Sequence, residues 1–177
     1  MKLKKICILN LFLLSYLLFT SCVRHSETVS VINKVDAEIY SDFIFIYNDV
    51  YIRLGEYLEN VLIELDSAID YYEYNSCSFE GDAKIYFYNN FDISTYLKSK
   101  TDKDRIYSIT LNDDTVSTVE GISIGQTYYD MISIYGNGYS VIPGGTYRYE
   151  RGSTYLALTI QEGSIISISY RILDIYG

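Results

Sequence analysis

The sequence predicts an α+β fold made of two tandem repeats, each a short helix packed on a roughly three-stranded antiparallel sheet. Three observations carry that prediction. One helix with a start, an apolar face and a stop is legible at 127–136. A second apolar helix face lies 70 positions upstream, behind an equivalent glycine. Each face is followed by segments of strand period, in the same order.

The downstream unit is the clearer one. Thr127 is a fitting N-cap, and Asp130 three residues on completes a capping-box pattern at the positive end of the helix dipole. Tyr128, Met131, Ile132 and Tyr135 recur at one helical face, and Gly136 suits the left-handed stop. In the upstream copy Leu58, Val61, Leu62 and Leu65 make the face, with Gly55 under Gly125. Further on, Tyr86 and Tyr88 fall under Tyr147 and Tyr149 at an offset of 61, and Ile109 and Leu111 under Ile168 and Tyr170 at 59. Chance similarity of two amphipathic segments would not keep a glycine, a helix face and two strand patterns in order. The expected organisation is residues 1–21 a signal peptide, 22–38 a lipidated cysteine and tether, 39–114 repeat 1 and 115–177 repeat 2.

The chain opens with a basic stretch, Lys2, Lys4 and Lys5, and a mostly apolar run over 6–19 that is short for a membrane span. Leu18-Phe19-Thr20-Ser21-Cys22 resembles the lipobox of bacterial lipoprotein signal peptides, with Phe19 where Leu or Val is commoner. The resemblance implies cleavage before Cys22, a diacylglycerol thioether on that residue, and a location in the bacterial cell envelope, lipid-anchored on the extracytoplasmic side. Acyl chains anchor because each buried methylene contributes about 0.8 kcal/mol. A plain secretory signal is the alternative, and an uncleaved anchor a weaker one. Cleavage would leave 156 of the 177 residues and lower the Lys and Arg total from 14 to 11 against 23 acids, a net charge of −12. Such a surface disfavours nucleic acid.

Residues 43–47 and 50–54 read as a hairpin turning at Asn48-Asp49, since both residues tolerate positive φ. The first helix is expected over 56–65. Residues 66–78 read as a longer connection with room for another helical turn over 68–72. Three strands follow, at 83–88, 91–97 and 105–112, and three more at 147–150, 155–161 and 164–173. Pro143 is the single proline, so nothing marks a flexible linker, and the copies are expected to dock.

This order of lead strand, short helix and antiparallel meander, repeated, resembles the tandem-repeat fold of the β-lactamase inhibitor protein. The single unit is similar to the small lipoprotein of the outer-membrane β-barrel assembly machinery. Ser76-Cys77-Ser78-Phe79-Glu80-Gly81, Gly121-Ile122-Ser123-Ile124-Gly125 and Tyr135-Gly136 also resemble a broad group of uncharacterised bacterial lipoproteins. The resemblance implies a concave sheet backed by helices and used for protein contacts. The chain has no Trp and lacks the cysteines for the inhibitor's internal disulfides, which sets it apart from inhibitor function.

No catalytic or cofactor motif stands out. Cys7 leaves with the signal, Cys22 carries lipid, and Cys77 remains alone, so no internal disulfide is expected. Cys77 reads as a core residue; a nucleophile would need a base, and the one histidine, His25, lies on the tether. A mixed disulfide through Cys77 is a weaker alternative. Asp102, Asp104, Asp113 and Asp114 read as turn tips, because their spacing is not that of a calcium loop. Zinc would need a His/Cys set that the sequence lacks. The chain is therefore expected to be no enzyme and to take no metal or cofactor.

The 21 tyrosines are the unusual feature. Tyr86, Tyr88, Tyr147 and Tyr149 form the candidate binding face, and two readings stay open for them: core and edge packing, or contact with a partner. The expected function is a membrane-anchored, non-catalytic protein-binding module with an envelope or extracellular partner. The alternative is a small-ligand or glycan-binding lipoprotein with a tyrosine-rich face. A hydrolase built on two carboxylates is a third class, with no pair singled out by spacing.

Overall fold

Strand pairing joins both halves of the chain into one antiparallel sheet. The computed structural model describes residues 41–76 and 82–174, all within one compact unit, Ala37–Gly177. The expected signal peptide, Cys22, His25 and Cys77 lie outside the described residues. The elements are β1 (Ile44–Tyr47), β2 (Val50–Arg53), α1 (Leu58–Leu62), β3 (Asp70–Asn75), β4 (Asp82–Phe87), β5 (Phe91–Tyr96), β6 (Arg105–Leu111), α2 (Tyr128–Tyr135), β7 (Ser140–Ile142), β8 (Thr146–Arg151), β9 (Thr154–Gln161) and β10 (Ser164–Ile172).

The predicted α+β class is corrected by this topology. Eight strands run β3-β4-β5-β6-β10-β9-β8-β7 in a single sheet, and β1-β2 is a separate hairpin. The described residues are mostly strand, with two helices of five and eight residues. There are no separate helix-on-sheet repeats of three strands: each half contributes a four-stranded meander, and β6 pairs β10 at the seam, Ile109 opposite Tyr170 and Leu111 opposite Ile168. Both strands carry alternating apolar side chains, so pairing them buries two edges and continues one apolar face.

That face consists of two rows across the sheet. One runs Tyr71, Tyr86, Ile93, Ile109, Tyr170, Leu156, Tyr149. The other runs Phe91, Leu111, Ile168, Leu158, Tyr147, Val141. The residues in the middle of both rows are fully buried. The hairpin and the helices cover them through Phe43, Phe45, Ile52, Leu58, Val61 and Met131. The opposite face is small and polar at its centre: Ser94 opposite Ser108, and Thr110, Ser169 and Ala157 in register.

The hairpin turns where expected, with Asn48 at φ 49° and Asp49 at φ 65°. The first helix is shorter than the 56–65 expected. Gly55 N–H donates to the Ile106 carbonyl, Ile106 N–H to the Glu56 carbonyl, and Leu58 N–H to the Asp104 carbonyl, so residues 55–58 are held against β6 instead of coiling. Gly55 (φ 82°) and Gly125 (φ 90°) occupy matching places before the two helices, in a conformation that favours glycine.

The second helix forms as read. Thr127 Oγ1 accepts from Asp130 N–H at 3.2 Å, and Thr127 N–H donates to Asp130 Oδ2 at 2.8 Å. The bond from the Thr127 hydroxyl holds the Asp130 carboxyl below its ordinary value. Replacing Thr127 with Ala is expected to destabilise the protein by about 1 kcal/mol at neutral pH. A group with a depressed folded pKa contributes above its unfolded pKa and loses that contribution as pH falls through the folded one. The cost of Thr127→Ala should therefore shrink in acid, as urea midpoints at the two pH values would show. A variant matching the parent at neutral pH would mean that the cap does not stabilise the helix.

Candidate interaction surface

Among the described residues the sheet ends at β3, and its outer flank concentrates exposed apolar and aromatic side chains. Asp70–Asn75 reads Asp-Tyr-Tyr-Glu-Tyr-Asn, good strand material because of its tyrosines, and pairs with β4 along its whole length. Alternation sends Tyr71 and Glu73 to the core side and Tyr72 and Tyr74 to the other. Tyr71 stacks on Tyr86 at 5.8 Å, and Tyr72 on Tyr74 at 6.1 Å. Tyr71 is 58 % and Tyr72 60 % exposed; nearby Ile63 is 83 % and Ile69 66 % exposed. Two open grooves of about 400 and 390 Å³ lie along this flank, sharing Leu62 and Tyr86.

Their walls are acidic. Glu59, Asp66, Asp70, Glu73, Asp82, Asp102 and Asp104 face two lysines, Lys84 and Lys103, a net of −5. Both lysines are engaged. Lys84 Nζ donates to Asp104 Oδ2 at 2.9 Å, and Lys103 Nζ to Glu59 Oε1 at 2.6 Å. The bond to Asp104 raises the Lys84 pKa, and the bond from Arg105 Nε at 3.0 Å lowers that of Asp102. Arg105 also lies 4.0 Å over the Tyr57 ring. Desolvation raises the Tyr86 hydroxyl. Among the described residues, Asp66, Glu73 and Asp82 make no ion pair.

The four tyrosines singled out in the sequence do not share one surface. Tyr88 and Tyr149 are buried in the core. Tyr88 stacks on Phe91 at 4.7 Å, and the Tyr149 hydroxyl donates to the Gly136 carbonyl at 2.7 Å. Tyr147 is half-buried against Tyr128 and Tyr139, at 5.4 and 4.9 Å. Tyr86 alone of the four lines the grooves. The residues that sequence reasoning missed are Tyr71, Tyr72, Glu73, Ile63 and Ile69. The density of tyrosine in 70–75 was the available signal, and the expectation of a loop or helical turn there hid it.

Three of the four acids considered as metal ligands have other partners: Asp102 has Arg105, Asp104 has Lys84, and Asp113 accepts from Thr115 and Asn90. Among the described residues no group of three His, Cys, Asp or Glu side chains is placed to hold a metal ion. Comparison with protein-family models, curated proteins and solved structures gave no match.

Proposed function

We propose that the chain is a membrane-anchored extracytoplasmic lipoprotein whose folded domain binds another protein without catalysing a reaction. The observation that carries this reading is the flank at β3, where the exposed side chains of Leu62, Ile69 and Tyr71 line one groove, with Ile63 and Tyr72 exposed next to them in the chain. Monomeric domains rarely leave such a concentration uncovered unless it meets a partner. The lipobox-like Leu18–Cys22 supplies the anchor, and through it the location in the envelope.

Crosslinking and purification of the lipidated protein from native membranes tests the binding reading. One stoichiometric envelope partner is the expected result. Recovery of the protein alone, under conditions that preserve a known complex, would reject it. The small-ligand or glycan reading draws on the groove volumes, which fall in the range of ligand sites of about 300–1,000 Å³. It would then be pursued with glycans and small molecules. The anchor has its own test: mass spectrometry of the mature protein is expected to find Cys22 at the N-terminus carrying a diacylglycerol thioether. A mature chain that starts at another residue, or a Cys22 without lipid, would refute lipidation.

A further inference from the structure

We infer that β3 is a docking edge for an extended, basic segment of the partner protein, which adds to the sheet as a further strand. The inference rests on the protein-binding reading and names the kind of partner and its mode of attachment.

The two ends of the sheet differ. β7 is three residues long and runs into Pro143, both common ways of blunting an edge. β3 is six residues long with no proline, glycine or lysine. Among the described residues no strand lies beyond it. Its hydrogen-bonding parity follows from the ladder. Tyr88 N–H donates to the Phe91 carbonyl, and Lys84 N–H donates to Thr95 Oγ1, so these β4-side residues turn their main chain toward β5. Ala83, Ile85 and Phe87 therefore turn theirs toward Tyr74, Tyr72 and Asp70. That leaves Tyr71, Glu73 and Asn75 with main-chain groups aimed off the sheet. Tyr71 behaves accordingly: its N–H takes the Asp70 side chain at 2.8 Å as acceptor.

Charge selects the occupant. Asp66, Asp70, Glu73 and Asp82 surround this edge, and Lys84, across from Glu73, directs its ammonium to Asp104. The stacked rings Tyr72/Tyr74 and Tyr71/Tyr86 present aromatic faces on the two sides of the edge. Such faces attract Lys and Arg. A strand with cations at alternate positions meets both carboxylates and rings, while its main chain takes the outward groups of β3. A second copy fits badly, because self-pairing brings Asp70 and Glu73 of one chain beside those of the other.

The test uses the full lipidated chain, isotope-labelled, in detergent micelles. The probe is a peptide alternating Lys with Val, titrated while backbone amides are followed by NMR. The expected result is saturable binding with shifts at Tyr71, Glu73 and Asn75. A peptide with Glu in place of Lys should not bind, and N-methylation of alternate peptide amides should abolish binding by removing the ladder. Glu73→Lys, at an exposed position, should weaken binding about tenfold or more. Equal binding of the N-methylated peptide would overturn strand addition in favour of diffuse ionic attraction. Shifts confined to another face would overturn the β3 assignment. If the peptide fails to bind while the membrane purification yields a partner, the docking inference falls and the protein-binding reading stands; if both fail, both fall.

Discussion

Raising the pH above 10 is expected to unfold the sheet cooperatively. Tyr170, Tyr135 and Tyr149, packed at the centre and edge of the core, contribute to this effect. Burial pushes the Tyr170 and Tyr135 hydroxyls well above the ordinary value of 10.0, with the Glu120 carboxylate adding to both, and burial pushes Tyr149 up to about 12. Tyr135 donates to Glu120 Oε2 at 2.9 Å, and Arg151 holds the other oxygen of that carboxylate at 2.8 Å. A raised folded pKa means that the fold keeps a proton which the unfolded chain releases. The associated stability is intact below pH 10 and is lost as pH climbs from there through the folded values. Each group removes about 1.4 kcal/mol per pH unit over that window. The three losses add, and an ordinary domain has only about 5–15 kcal/mol to lose. Far-ultraviolet circular dichroism and tyrosinate absorbance, recorded on one titration, check this. The sheet signal should fall in step with a late fraction of tyrosinate. A sheet that persists after all the tyrosinate has formed would mean that these side chains are not buried in the folded protein.

The same tyrosines show what the sequence could reveal and what it could not. Local chemistry was legible. Thr127, Asp130 and Gly136 specify α2 by contacts within one helix, and Asn48-Asp49 specifies the hairpin turn by backbone preference. Strands β4 to β6 and β8 to β10 are marked by side-chain alternation and lie within a few residues of expectation. Long-range pairing was not legible. Nothing in the alternation of 105–111 or 164–172 says that these strands lie side by side, since alternation fixes faces and not neighbours. The flank at β3 was missed for a related reason. Tyr71 and Tyr72 are both largely exposed although they lie on opposite faces, so no contrast of apolar and polar marks the segment as a strand. Of the candidate surface, the sequence singles out only Tyr86, by its place in the repeat, and it reaches solvent because β3 is the last strand of the sheet among the described residues. Its counterpart Tyr147 is covered by Tyr128 and Tyr139 in the other half.

Phe45→Ala is expected to destabilise the protein by about 3–5 kcal/mol and to release the β1–β2 hairpin. Among the described residues the hairpin strands pair only with each other, and two isolated strands are marginal in water. What holds it is packing on the sheet plus a tie at its start, where Phe43 N–H donates to Thr154 Oγ1 at 2.8 Å and Asp42 accepts from Ser153 N–H at 2.7 Å. Phe45 is fully buried, with its ring 5.1 Å from Phe91 and 5.8 Å from Tyr170. Those two residues belong to β5 and β10, on opposite sides of the seam, so one side chain joins both halves of the sheet to their cover. Truncation leaves a void that rigid strands on either side cannot close, which places the cost at the upper end for an aromatic deletion. Phe45→Leu keeps most of the volume and should cost less than half as much. Chemical denaturation gives the size of the effect, and amide hydrogen exchange locates it. Protection should be lost first at 44–47 and 50–53, with the central strands still protected. A variant within about 1 kcal/mol of the parent, with its hairpin amides still protected, would show that the seam is held by strand pairing alone and that the hairpin is an accessory to it.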